Sequence, residues 1–137
     1  MKLNILTLAV VLAGIGLFVQ YAFMHPWTPM RAAGFTIVIP SALLLVVARI
    51  QLGRAFSVRA KASQLITTGL YSRIRNPIYI FGGLALAGLI LYTGQLWLFL
   101  ALAVLIFMQI RRARIEERVL TEAFGEEYLA YKRKTWF

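Results

Sequence analysis

Arg112 and Glu116 stand four residues apart in "RRARIEERVL", a spacing that sets a guanidinium and a carboxylate one above the other on a single helix face. Alone, such a pair is an ordinary surface ion pair worth about 0.3–0.5 kcal/mol, and arginine before glutamate is the less favourable order. A second group lies upstream in "TTGLYSRIRNPIYIFGG", residues 67 to 83, where Gly69, Tyr71, Arg75, Asn76, Pro77 and Tyr79 follow in the order G-x-Y-x-x-x-R-N-P-x-Y. Taken singly each is ordinary: Gly69 ends a short element, Arg73 and Arg75 anchor a membrane boundary, Pro77 starts a helix, and the tyrosines form an interfacial belt. Those roles give no reason for the whole order. The chemistry on offer is recognition of charge, by a carboxylate, by amide and guanidinium donors, and by aromatic faces.

The elements that must position these residues are apolar. The chain of 137 residues is 61% hydrophobic and 15% charged, with a mean hydropathy of +0.75, which leaves too little polar surface to coat a soluble globule. The expectation is an all-α polytopic membrane protein forming one domain, residues 1–137. Four transmembrane helices are read at about 3–23, 32–52, 77–92 and 96–110, with a loop over 53–76 and a helical extension over 111–137. Thr93, Gly94 and Gln95 alone separate the last two stretches, which predicts a tight helical hairpin. The first stretch is not read as a signal peptide, because bulky residues from Phe23 to Trp27 follow it and no small-x-small site does. Ile110, Ile115, Val119, Leu120, Ala123 and Phe124 recur at helical spacing, so the fourth helix continues out of the membrane until Gly125, and a short helix then carries Tyr128 and Tyr131. Pro40 predicts a kink in the second helix, and Gly83 with Ala87 predicts a close helix contact.

Charge sets the orientation and excludes several functions. The chain carries a net charge of +10. Six basic residues lie between Arg49 and Arg75 and seven more in the tail, against Arg31 alone in the first loop, so both termini and the central loop are expected on the cytoplasmic side. No basic surface domain exists to suggest a nucleic-acid partner; the charge fits anionic lipid and topology. All five carboxylates follow the last apolar stretch, which counts against a proton-coupled transporter. With no cysteine and His25 as the only histidine, no metal site is expected.

"LITTGLYSRIRNPIYIFGG" followed, after one helical hairpin, by "RRARIEERVLTEAFGEEYLAYKRK" resembles the signature of the isoprenylcysteine carboxyl methyltransferase family and its relatives among membrane phospholipid methyltransferases. The resemblance covers Gln64 to Lys134; the first two apolar stretches match only in hydropathy. It implies an integral membrane enzyme that transfers a methyl group from S-adenosylmethionine, leaving S-adenosylhomocysteine, to a lipophilic acceptor. The cofactor residues it implies are Gln64, Leu65, Ile66, Tyr71, Asn76, Pro77, Ile78, Tyr79 and Glu116, and the arginine that orients the acceptor falls on Arg112.

The chemistry of that cofactor fits those side chains. Glu116 suits its ammonium, Asn76 and the amides where Pro77 opens a helix suit its carboxylate, and Tyr71 or Tyr79 suits the sulfonium or the adenine. An ionised carboxylate acceptor needs no general base, whereas an amine must lose a proton and no histidine is expected on that side. A carboxylate such as an isoprenylcysteine-type group is therefore favoured, with a phospholipid amine as the alternative acceptor and a non-catalytic scaffold or lipid-binding protein as the alternative class. Asn76 stands where the family often has histidine, so no titrating group is expected there. Trp136 and Phe137, where family members commonly continue, are expected at the membrane interface.

Overall fold

A computed structural model of the chain describes residues 5–56, 65 and 67–137, with the side chains of 5–11 and 53–56 outside that description. The described residues form five helices and a short 3-10 turn: α1 (Ile5–Met24), α2 (Pro29–Phe56), the turn Gly69–Ser72, α3 (Pro77–Thr93), α4 (Leu98–Phe124) and α5 (Glu126–Lys134). The predicted boundaries shift in two places. The second helix begins at Pro29, a residue suited to a first helical turn, and runs beyond 52 to Phe56. The fourth begins at Leu98, because the hairpin turn extends through Trp97. Gly94 caps α3 in the left-handed region at φ 75° with its amide on the Ile90 carbonyl, and Gly125 ends α4 as expected.

Among the described residues one stretch, Pro29–Leu52, is long and apolar enough to cross a membrane; the apolar stretches Leu12–Met24 and Pro77–Thr93 are shorter. Many large apolar side chains face outward, Leu100, Val104 and Phe107 of α4 among them, as in a protein whose solvent is hydrocarbon.

α2 and α3 share the most extensive contact, and α3 touches α4 over far less. The reason lies at Gly34 and Gly88. A Cβ on Gly34 would lie 2.3 Å from the Tyr92 amide nitrogen and 2.6 Å from the Gly88 carbonyl, and one on Gly88 would lie 2.9 Å from the Val38 nitrogen. The two backbones meet where neither has a side chain, the geometry small residues permit between helices that lipid cannot drive together. Gly83 and Ala87 do not make the close contact that their spacing suggests. A Cβ on Gly83 would meet nothing within 4 Å, and both residues line a groove between α3 and α4.

The α1–α2 and α3–α4 turns meet at one end of the bundle, where Tyr21 donates to the Thr93 carbonyl (3.0 Å) and the fully buried Tyr92 donates to the Phe18 carbonyl (2.9 Å). Arg31 is buried there, not solvated. Its Nη1 donates to the carbonyls of His25 and Pro26 (both 2.6 Å) and its Nη2 to that of Tyr21 (3.1 Å). The rings of Tyr21, Trp27 and Tyr92 surround the guanidinium at 5.0–5.3 Å. Carbonyl dipoles and aromatic faces thus replace water around a cation. His25 is committed to this end, stacked on Tyr21.

Candidate functional site

At the other end, the segment before α3 is assembled from both sides. Gly69 opens the 3-10 turn at φ 63° instead of ending an element, and the Gln51 side chain packs against its open face, within 2.7 Å of where a Cβ would stand. The Leu70 amide donates to Gln51 Oε1 (2.9 Å), tying the turn to the end of α2. Tyr71 is buried, its hydroxyl 3.5 Å from the Ala48 carbonyl and its own carbonyl accepting from Tyr131 Oη (2.6 Å). The turn is therefore held between α2 and α5.

Asn76 caps α3 through its carbonyl, which accepts from the amides of Tyr79 (3.1 Å) and Ile80 (3.2 Å), while its side chain makes no capping bond. Its own amide donates to the Phe137 carbonyl (3.0 Å). This corrects the expectation of several free amides at the start of α3. Pro77 has no N–H, so among the described residues the Ile78 amide and the Asn76 side chain are the donors without a partner there.

These residues line a cleft of about 350 Å3 between the ends of α2, α3 and α4, formed by Arg49, Leu52, Tyr71, Arg75, Asn76, Pro77, Ile78, Tyr79, Arg112 and Glu116. Its size falls in the range of small-molecule sites, about 300–1,000 Å3. Tyr79 Oη donates to Glu116 Oε1 (3.2 Å), and Arg112 Nε lies 3.4 Å from the same oxygen. Arg112 is largely exposed, at 72%, whereas Glu116 is sheltered at 24%. The carboxylate thus sits at a wall of the cleft with one oxygen hydrogen-bonded to a phenol and ion-paired with a guanidinium that reaches towards solvent.

Behind this wall Glu117 accepts from Arg75 Nη1 (2.5 Å) and from Lys132 (2.8 Å), joining the pre-α3 segment, α4 and α5. Burial, with a smaller contribution from the Glu117 charge, pushes the Tyr128 phenol up from its usual pKa. Burial first, then the neighbouring Tyr128, pushes the Tyr131 phenol up to about 12, against a lowering by Arg75. Neither tyrosine is an acid–base group near neutral pH.

The C-terminal residues are tied to the segment before α3. Trp136 and Ile74 form a parallel bridge: the Trp136 amide donates to the Arg73 carbonyl (2.7 Å), and the Arg75 amide donates to the Trp136 carbonyl (3.0 Å). With the Asn76–Phe137 bond, these contacts hold the segment that carries Asn76 into the cleft. The Trp136 ring stays largely exposed.

Of the residues read from sequence, Tyr71, Asn76, Pro77, Ile78, Tyr79, Arg112 and Glu116 share this one cleft. Leu65 is half-buried and does not line it; Gln64 and Ile66 lie outside the described residues. Arg49 and Leu52 line the cleft without having been singled out, Arg75 of the motif lines it without having been read as a site residue, and Glu117 supports it from behind. Arg75 reads as a membrane-boundary anchor because its partner Glu117 lies 42 residues away in the chain. Adjacency to Asn76 was the one local signal for Arg75.

Among the described residues the chain is an all-helical bundle with one apolar stretch long enough to cross a membrane and a polar cleft at its helix ends. The chain belongs to the phospholipid methyltransferase family, whose model matches residues 28–127; it is a membrane methyltransferase by family. That match takes in α2 to the start of α5 and every residue of the cleft. No curated protein and no solved structure matches the chain.

Proposed function

We propose that the chain is a single-domain, four-pass membrane enzyme that transfers a methyl group from S-adenosylmethionine to a lipophilic acceptor drawn from the bilayer. Crossings near 3–23, 32–52, 77–92 and 96–110 place the cleft and both termini on the cytoplasmic side, in keeping with the basic residues flanking them. The observation that carries the reading is the Tyr79–Glu116 hydrogen bond, which joins two motifs distant in sequence at the wall of one cleft.

The donor set of the cleft fits the cofactor. Glu116 is placed to pair with its ammonium, and the Asn76 side chain and Ile78 amide, at the positive end of α3, with its carboxylate. Tyr71, Leu52 and Pro77 supply apolar and aromatic wall for the adenine, and Tyr79 an electron-rich ring for a sulfonium. Gln64, Leu65 and Ile66 are carried as further contacts on the resemblance alone. When bound, the cofactor supplies a methyl group on a positively charged sulfur, open to in-line displacement. The chain's task is then to align the acceptor and to exclude water.

Arg112, exposed beside Glu116, is suited to orienting an anionic acceptor. With His25 held at the opposite end, an isoprenylcysteine-type carboxylate, which arrives ionised, asks least of these residues. A second reading is favoured by the family match: a phospholipid amine, whose phosphate the arginines of the cleft would hold.

Calorimetry of S-adenosylmethionine and S-adenosylhomocysteine with the detergent-purified protein tests the cofactor. Folded protein that binds neither would end the enzyme reading and leave a lipid-binding scaffold. Incubation with methyl-labelled cofactor and either a farnesylated cysteine or phosphatidylethanolamine tests the acceptor: label released as methanol by mild alkali marks an ester, and alkali-stable label in the lipid marks an amine.

A further inference from the structure

Tyr79 belongs to two cavities. Besides the polar cleft, it heads a groove of about 300 Å3 between α3 and α4, walled by Gly83, Leu84, Ala87, Leu102, Ile106 and Ile110. Gln109 is the only other polar residue in its lining. The groove exists because α3 presents Gly83 and Ala87 to it, and the space over Gly83 is open for at least 4 Å. Phe137 stands in the lining of this groove and also in that of a polar pocket of about 270 Å3 that contains Arg75, Arg114 and Glu117. Its backbone is pinned to Asn76, and the residue stands at the border between an apolar and a charged compartment.

We propose that the α3–α4 groove holds one hydrocarbon chain of the methyl acceptor and that Phe137 is a positioning residue that stops this chain at the level of Tyr79. The proposal rests on the reading of the chain as a methyltransferase with a lipophilic acceptor. Three observations commit the groove to a hydrocarbon chain. Its lining offers a head group almost nothing to bond. Its volume of about 300 Å3 falls at the lower end of small-molecule pockets, about 300–1,000 Å3. It shares Tyr79 with the cleft where the head must react. Phe137 then sets how far the head advances: a smaller side chain lets the hydrocarbon slide into the polar pocket and carries the head past Glu116.

The test is photolabelling of the full-length protein in phosphatidylcholine nanodiscs, with phosphatidylethanolamine bearing a diazirine in one acyl chain in one arm and a diazirine-bearing farnesylcysteine in the other. Labelled residues are mapped by mass spectrometry, and S-adenosylhomocysteine binding is measured in parallel. Label is expected at Gly83–Ala87 and at Leu102 and Ile106, in one arm or both, which tells acyl from prenyl chains. Gly83→Leu, or Ala87→Met should that variant fail to fold, is expected to cut this label roughly tenfold while label on the outward-facing Leu100, Val104 and Phe107 persists and S-adenosylhomocysteine affinity holds. Phe137→Ala is expected to shift the label towards Tyr79 and Asn76 and to raise the acceptor KM without moving cofactor affinity. Groove label indifferent to Gly83→Leu, or label confined to the outer face of α4, would overturn the chain site. An unmoved label in Phe137→Ala, or an equal loss of cofactor affinity, would reduce Phe137 to a structural role. Groove label without S-adenosylhomocysteine binding in the wild type would keep the chain site and sink the methyl-transfer reading.

Discussion

Glu116 has one oxygen shared between a phenol and a guanidinium, and the two partners differ in what they contribute. Tyr79 holds the carboxylate at the cleft wall, whereas Arg112, mostly in water, adds little to stability. Glu116→Gln keeps the shape and removes the charge, so the affinity for S-adenosylhomocysteine is expected to fall about 10- to 100-fold, the worth of one charge-assisted hydrogen bond. Tyr79→Phe is expected to cost about two- to tenfold; calorimetry reads both. The Tyr131 phenol donates to the Tyr71 carbonyl and has its pKa raised to about 12, chiefly by burial. The folded state therefore holds this proton more tightly than the unfolded chain does. The stability it contributes is fully present below pH 10 and is lost as pH rises towards 12. Absorbance at 295 nm is expected to show Tyr131, with Tyr128, ionising after the exposed tyrosines, together with a fall in thermal stability over that window. At this scale the motif residues were legible because the order G-x-Y-x-x-x-R-N-P-x-Y is a local pattern. Arg49 and the Arg75–Glu117–Lys132 group were not, because a partner chosen across helices leaves no mark in either helix's own sequence.

At the scale of elements, the two small-residue positions of α3 have opposite functions. Gly88 lets α2 approach and Gly83 keeps a groove open, yet both read alike as small residues in an apolar helix. Gly34→Ala places a methyl against the Tyr92 backbone, which cannot yield without moving α3, and is expected to destabilise by about 1–3 kcal/mol. Gly83→Ala places a methyl in open space and is expected to stabilise by about 0.5–1 kcal/mol through backbone entropy. Thermal unfolding in detergent separates the two signs. Helix existence and type were legible from hydropathy and from Gly94 and Gly125. The length of α2 was not, because Gly53 and Arg54 interrupt the apolar run that marks the helix. The bridge between Trp136 and Ile74 was equally hidden, since a single backbone pairing has no period to detect.

For the whole molecule, the two ends of the bundle are chemically distinct. One gathers Arg31, the aromatic rings and the α3–α4 turn; the other gathers the cleft and α5. The proposed four-pass topology puts them on opposite sides of the membrane. Because the chain has no cysteine, single replacements report without background. Gln95→Cys and Glu122→Cys, both at exposed positions, are expected to react with an impermeant maleimide from opposite faces of oriented vesicles. Labelling from the same face would remove the four-pass arrangement.

The backbone contact at Gly34 and Gly88 also has a mechanical consequence. Two helices whose main chains touch behave as one stiff plate, since sliding either drives carbonyl into carbonyl. The seam between α3 and α4, held by fewer contacts and partly hollow, is the compliant line of the bundle. Any deformation of the bundle is expected to concentrate there, moving the helix that carries Glu116 against the plate that carries Tyr79.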